Sequence, residues 1–379
     1  MRIDLWVAGQ SRRVAAAFAV ASVAAAAGTA GAAGGVQAPD PQPPPLAADP
    51  AEVLAAEGGA RDDLRRRTSA ATAAAPFTHQ VLELVNEERL ANGGLPPLKG
   101  VALLDSSAGG HSSRMATGDF FSHCDLDTQS SPSGRMQAAG YFGNTTGENI
   151  AAGQSTPQSV MAAWMASTFH RENILRTTFR ELGVGYFQQV GDAANVRVDF
   201  DGNCTVDDVS GPFVHYWTQN FGRRTSVFPV VVERETWETS CAGVDLYTYG
   251  AGTFSQMRFS NDGATWSPWM AFSAEAEWTL PPGASGTATV WAELGNGGGP
   301  LHQATDTIGI ADDYPAAAEL DLSAQTVTTT ESFTACDTIT AGDGFHVAGG
   351  GDATFTARSI VLTDGFSVAA GGTFRAATR

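Results

Sequence analysis

Apolar residues recur at helical spacing from Thr78 to Gly93, where Val81, Leu82, Leu84 and Val85 lie to one side of THQVLELVNEERLANGG. Residues three and four apart share a helix face, so this stretch predicts a helix with Thr78 as N-cap and Gly93 as its stop. A second helix is predicted over roughly 102–117, with Leu104, Ala108, His111 and Met115 inward. Gly109-Gly110 in its middle weakens it by about 1 kcal/mol each relative to alanine. SPSG at 131–134 and Thr156-Pro157 each set a capping side chain before a first-turn proline, predicting a short helix near 131–139 and another that turns Val160, Met161, Trp164 and Met165 inward. A last short helix is predicted from His170 to Arg176. The period then changes, and 182–190 and 213–221 read as strands, with the polar run DFDGNCTVDDVSG between them.

From about residue 233 the pattern is short strand-like runs parted by turn residues: DLYTYG, QMRFS, WSPWMAF, EWTL and TATVWAEL. Asn261-Asp262-Gly263 is a hairpin signal, and regular spacing of such runs suggests a β-sandwich. DGFHVAGGGDATFTA at 343–357 recurs as DGFSVAAGGTFRAAT at 364–378. A period near 20 residues with glycine-rich corners predicts stacked β turns, a short solenoid.

The N-terminus does not fit this folded pattern. Arg2, Arg12 and Arg13 precede the apolar run Val14–Ala27 and then small residues. That order predicts an export signal over 1–30, too short and alanine-rich for a membrane anchor. Residues 31–76 are rich in Pro and Ala and read as a linker. No other segment could span a bilayer. Net charge is −18 and the pI about 4.6, which disfavours nucleic acid as a partner. Lys99 is the only lysine, and the scarcity of lysine reads as codon bias. The four cysteines, Cys124, Cys204, Cys241 and Cys336, form no CxxC and allow three connectivities in an oxidising compartment.

The chemistry gathers between Phe120 and Gly185, in FFSHC, GENIA, WMASTFHRENIL and ELGVG, with HYWTQNFG following at 215–222. His123, Glu148 and His170 each lie beside apolar or glycine-containing sequence that could fold them inward. The ordered motifs SH, GEN, W-M-x-S, HR-x-N-I-L, E-L-G-V-G and Y-W-T-Q resemble the CAP superfamily of cysteine-rich secretory, antigen 5 and pathogenesis-related proteins, in its bacterial branch. The resemblance covers about 77–232. It implies a CAP α-β-α sandwich over 77–232. The strand-like runs over 233–315 resemble an immunoglobulin- or fibronectin-like sandwich and the repeat over 316–379 resembles coathanger-stack repeats, a solenoid-like fold, so the whole chain is expected to be α+β. It also favours pairing Cys124 with Cys204, both inside the CAP-like region.

By the same resemblance, His123, Glu148 and His170 match three of the four residues of the family's cleft, and the place of the second Glu falls at Ser167. Two imidazoles and a carboxylate could hold a transition metal at His123 and His170, with zinc the default, or could brace the fold. His111 reads as a structural histidine bonded to backbone, and His215 as a strand-end surface residue. Asp199, Asp201, Asn203, Thr205 and Asp207 alternate as calcium ligands do, but an EF-hand's glycine and closing glutamate are missing, so a solvated acidic loop is preferred. Trp266, Trp269, Trp278 and Trp291 suit core packing more than a sugar platform. No GxSxG, HExxH, P-loop or Rossmann signature occurs. The expectation is a secreted, non-catalytic binding module for a lipid, glycan or protein. A metal-assisted hydrolase and a structural surface protein are the alternatives.

Overall fold

The computed structural model describes residues 75–199, 202–312 and 314–378. The expected export signal, the linker up to residue 74, and Asp201 lie outside the described residues. Helix α1 (Phe77–Ala91) is capped by Pro76 rather than Thr78, which is already helical. After β1 (Lys99–Gly100), α2 (Ala102–Thr117) runs unbroken through Gly109-Gly110. Tertiary packing outweighs the local penalty there, because α2 lies directly on the central strands. β2 (Phe120–Phe121) leads to α3 (Pro132–Ala138), which Ser131 caps through Gly134 N–H. β3 (Thr145–Ala152) precedes α4 (Pro157–Ala166), which opens on a reciprocal capping box between Thr156 and Ser159. Helix α5 (Thr168–Leu175) follows directly. β4 (Glu181–Gln188), β5 (Val196–Val198), β6 (Asp208–Ser210) and β7 (His215–Arg223) complete this domain.

The main sheet has the order β1-β4-β7-β3, with β1 parallel to β4 and the other pairs antiparallel. One face packs on α1, α4 and α5 around Val81, Val85, Trp164, Ile174, Trp217 and Phe221. The other face receives α2. Here Gly183 and Gly185 explain the GVG motif: a Cβ at either would run into the α2 backbone at Leu104 and Ala108. The layers are therefore helix, sheet, helix, and β3 is left as an edge strand.

β8 (Val230–Val232) pairs with β10 (Gly243–Thr248), so the second unit begins before residue 233. β9 is Glu238–Thr239, and β11 is Gln256–Ser260. β12 (Met270–Ala271), β13 (Glu275–Thr279), β14 (Gly286–Gly295) and β15 (Pro300–Ile310) follow. Two sheets, β13-β10-β8 and β12-β11-β14-β15-β9, close on one core that includes Val232, Leu246, Phe259, Val290 and Leu294. Asn261-Asp262-Gly263 does not make a tight hairpin. It opens a longer loop before β12, because Asp262 Oδ1 accepts the N–H groups of Ala264 and Thr265 and turns the chain early.

The final segment stacks in parallel register, Glu319 beside Thr338 beside Ser359, and Thr330 beside Asp352 beside Thr373. The sequence repeat showed two of these layers. The first, from Glu319, lacks the DGF signature and is visible only in the pairing. Phe345, Val347 and Phe355 fill the interior. Cys241 and Cys336 are bonded and tie this stack to the sandwich.

The first two units meet through polar contacts. Glu83 Oε1 accepts from Trp237 N–H at 2.6 Å, Asn86 Nδ2 donates to Arg234 O at 2.9 Å, and Tyr249 Oη donates to Pro97 O at 2.9 Å. At this junction Glu233, Arg234 and Glu235 all have positive φ, at 43°, 54° and 70°. For side-chain-bearing residues that conformation costs roughly 1–2 kcal/mol each.

Candidate functional site

Edge strand β3 builds the site because alternate residues face opposite sides of the sheet. Glu148 turns toward α2 and Asn149 toward α5. Glu148 is 5% exposed, and both its oxygens are occupied. Arg135 Nη2, from α3, donates to Oε1 at 3.0 Å and to Oε2 at 2.8 Å. His123 Nδ1 lies 2.9 Å from Oε1. Asn220, directly across the ladder on β7, donates to Oε2 at 3.0 Å and accepts from Ser107 Oγ and Ala108 N–H once its amide is oriented to satisfy both ends. Burial alone would raise the pKa of such a carboxyl, but Arg135, His111 and His123 pull it down to about 2.

His123 follows β2, and the Cys124–Cys204 disulfide pins the segment that carries it to the loop after β5. Ser122 reinforces this: its Oγ donates to Asp199 Oδ2 at 2.7 Å and accepts from Cys124 N–H at 3.0 Å. His123 is therefore held from both sides, by the disulfide segment and by Glu148.

His170, on α5, is buried, and burial followed by the charge of His123 lowers its pKa to about 4. Its Nδ1 has no hydrogen-bond partner. The backbone beneath it is fixed by Asn149, which donates to His170 O at 3.1 Å and to Gln219 Oε1 at 3.0 Å, and accepts from Asn173 at 3.0 Å. The structure thus brings His123 and Glu148 into contact and sets His170 within electrostatic reach of His123, with no hydrogen bond between the two rings among the described residues. Arg135, Asn149, Asn173 and Asn220 belong to this site and carried no assignment from the sequence. Gln219 and Asn220 lay within HYWTQNFG, where position opposite GEN on a paired strand is the signal that could have found them.

Other candidates resolve plainly. His111 is fully buried, with Nε2 2.9 Å from Ser122 O and a pKa lowered to about 4 by burial, as a structural histidine requires. His215 is half-buried rather than a surface residue, because its Nδ1 meets Tyr186 Oη at 2.9 Å. Asp199 is a loop brace: Gly202, Asn203 and Cys204 N–H groups converge on its carboxylate, and Asn203 Oδ1 accepts from Thr205 N–H. Trp266 and Trp269 sandwich the Arg258 guanidinium at 5.0 and 4.7 Å, while Trp278 donates to Asn261 Oδ1.

As a metal set, His123, Glu148 and His170 are short of donors. Zinc sites use three or four protein ligands. The unpartnered His170 Nδ1 suits such a role, but Glu148 is engaged by Arg135, His123 and Asn220. Among the described residues no group of three or more His, Cys, Asp or Glu is placed to hold a metal ion. No helix among them is long and apolar enough to cross a membrane.

The profile of the Cysteine-rich secretory protein family, CAP, matches residues 82–221. The uncharacterised protein YkwD of Bacillus subtilis (strain 168) is 41% identical over 121 residues, which is 32% of this chain and 46% of the relative. The chain therefore spans just under half the length of the curated relative it matches. Among solved structures, an extracellular protein containing a SCP domain from Bacillus anthracis str. Ames is 28% identical, covering 39% of this chain and 40% of that one, with a TM-score of 0.30. An outer surface protein from Borrelia burgdorferi is 17% identical, covering 38% and 90%, also with a TM-score of 0.30. A cysteine-rich secretory protein from Staphylococcus aureus subsp. aureus Mu50 is 19% identical, covering 38% and 37%, with a TM-score of 0.26.

Proposed function

Residues 82–221 are a CAP domain, and from that premise we propose that this is an exported, non-catalytic binding protein whose ligand enters the cleft of His123 and His170. One observation carries the reading: Glu148 is saturated. A general base must have a free lone pair within reach of the proton it takes. Glu148 spends its oxygens on Arg135, His123 and Asn220, and a carboxyl held at about 2 is a weak base. What it does instead is fix the ring of His123 and so shape the cleft wall. No catalytic step is routed through a metal, since the donor set is incomplete.

The ligand classes are a lipid, a glycan or a protein segment. Export agrees with the basic and apolar order of the N-terminal sequence and with two disulfides. The two-sheet unit is read as an immunoglobulin- or fibronectin-like module and the parallel stack as a short β-solenoid, both accessory to the CAP domain. Native mass spectrometry of the purified chain tests this: a retained small molecule or peptide is expected, and it should be lost in His170→Ala with little change in melting temperature. Hydrolysis of ester or peptide substrates that disappears in a folded Glu148→Gln variant would overturn the binding reading and restore the hydrolase.

A further inference from the structure

The junction between the CAP domain and the sandwich holds a largely buried ion-paired trio. Lys99, on β1, is the sole lysine among 22 Lys and Arg residues. Its Nζ lies 2.8 Å from Glu235 Oε1 and 2.7 Å from Asp306 Oδ1, and the three side chains are 19%, 7% and 2% exposed. Codon bias accounts for the missing lysines but not for the retained one. Arginine is the cation everywhere else in the chain and makes the better permanent ion pair, so a purely electrostatic role does not demand lysine here. Lysine alone offers a primary amine.

Two further features point the same way. Asp306 Oδ2 accepts from Val232 N–H at 2.7 Å, a donor placed as an oxyanion stabiliser would be. Glu235 reaches the trio only because three consecutive non-glycine residues adopt left-handed backbone, held by Arg234 on Asn86 O and Leu95 O and by Glu233 on Asp245 N–H. Strain of this kind persists where surrounding structure over-determines it, and it concentrates at functional sites.

We propose that Lys99 Nζ and Asp306 Cγ become joined by an amide bond, with Glu235 as the proton relay, so that the CAP domain and the sandwich are covalently linked. One proton first passes from the Lys99 ammonium to Asp306, leaving a neutral amine beside a neutral carboxylic acid with no change in net charge. Nζ attacks Cγ, and the developing oxyanion on Oδ2 is met by Val232 N–H. Glu235, protonated at the outset, gives its proton to Oδ1, which departs as water, and takes one back from the attacking nitrogen. The C–O bond is replaced by a C–N bond, no electrons leave the system, and Glu235 ends as it began. Burial and the neighbouring Asp306 raise Glu235 to about 8 despite Lys99, so it carries the proton this relay needs at neutral pH. Burial disfavours the Lys99 ammonium while the two carboxylates favour it, and the balance lies above the ordinary lysine range.

The full chain, reduced, alkylated and digested, decides the matter by peptide mass. A branched peptide joining the segments of Lys99 and Asp306, lighter by one water than its two linear parts, is expected in nearly all molecules. It should vanish in Lys99→Arg and in Glu235→Gln. Amine-reactive labelling in denaturant should leave Lys99 of the native chain unmodified. Linear peptides with a fully labelled Lys99 would overturn the proposal, and complete cross-linking in Glu235→Gln would overturn the relay. Should either variant fail to fold, the map of the unaltered chain still gives the answer.

Discussion

Glu148 in the cleft and Glu235 at the domain junction are both buried glutamates with a cation in contact, yet their acidities move in opposite directions. Glu148 falls to about 2 and Glu235 rises to about 8. Burial pushes both upward, so the difference lies in the company each keeps. Glu148 meets Arg135, His123 and the Asn220 amide. Glu235 shares one Lys99 with a second carboxylate, Asp306. A buried acid is charged or neutral according to its count of donors and rivals, and these set its role. The cleft holds a fixed charge that orients a ring; the junction holds a proton.

Removing the cation of the cleft should give the largest effect. In Arg135→Met, Glu148 stays buried without its main partner, and breaking a buried pair in this way costs about 3–5 kcal/mol. Urea or thermal unfolding reads it directly. A loss under about 1 kcal/mol would mean that Asn220 and the histidines suffice, and the contrast between the two glutamates would fail.

The two regions should also answer pH with opposite signs. His111 and His170 have folded pKa values of about 4, below the ordinary 6.5. Their contribution is fully present above pH 6.5 and is lost as pH falls toward 4, by up to roughly 3 kcal/mol each. Glu148 adds a further loss between 4.5 and about 2. At the junction Glu235 stands near 8 and Glu83 near 7, the latter through burial. Their contribution is complete below pH 4.5 and declines as pH rises through those values. Hydrogen exchange should show α2 and β3 opening at pH 4, and α1 with residues 230–239 opening at pH 9. A single pH optimum common to both segments would break the comparison.

Glu83→Gln sharpens it from the α1 side. The amide oxygen can still accept from Trp237 N–H, while the charge that burial opposes is gone. The variant should match the parent at pH 5 and exceed it by about 1–2 kcal/mol at pH 9. Equal curves at both pH values would locate the alkaline response elsewhere.

The difference between the two regions also marks what could be read from the sequence. His123, Glu148 and His170 stood out because motif order placed them, and the helix over 102–117 and the one opened by Thr156-Pro157 followed from periodicity and caps. The junction was invisible. Lys99 occupies a two-residue strand, Glu235 follows a left-handed turn built without glycine, and Asp306 sits near the middle of a long strand, so nothing local joins them. The pairing of Val230–Val232 with Leu246–Thr248 was likewise invisible, since a strand's partner is a tertiary fact. Arg135 escaped for the same reason: a lone arginine on a seven-residue helix has no pattern to betray it.

The smallest effect should come from Arg358, which has the same chemistry as Arg135 without the burial. Its guanidinium bridges the stack to the sandwich, 3.0 Å from Asp245 Oδ1 and 3.1 Å from Glu277 Oε1. Those carboxylate side chains are 60% and 77% exposed, whereas that of Glu148 is 2% exposed. Water solvates the exposed pair in either state and salt screens it, so the attraction is nearly cancelled by the entropy of holding a long side chain in place. Arg358→Ala should cost no more than about 0.5 kcal/mol, and the cost should shrink further in molar salt. The disulfide between Cys241 and Cys336 holds the stack to the sandwich in either case. A cost comparable to that of Arg135→Met would show that two charges reaching across a module boundary matter as much as one buried deeply. The contrast between the cleft and the surface would then rest on connectivity rather than on burial.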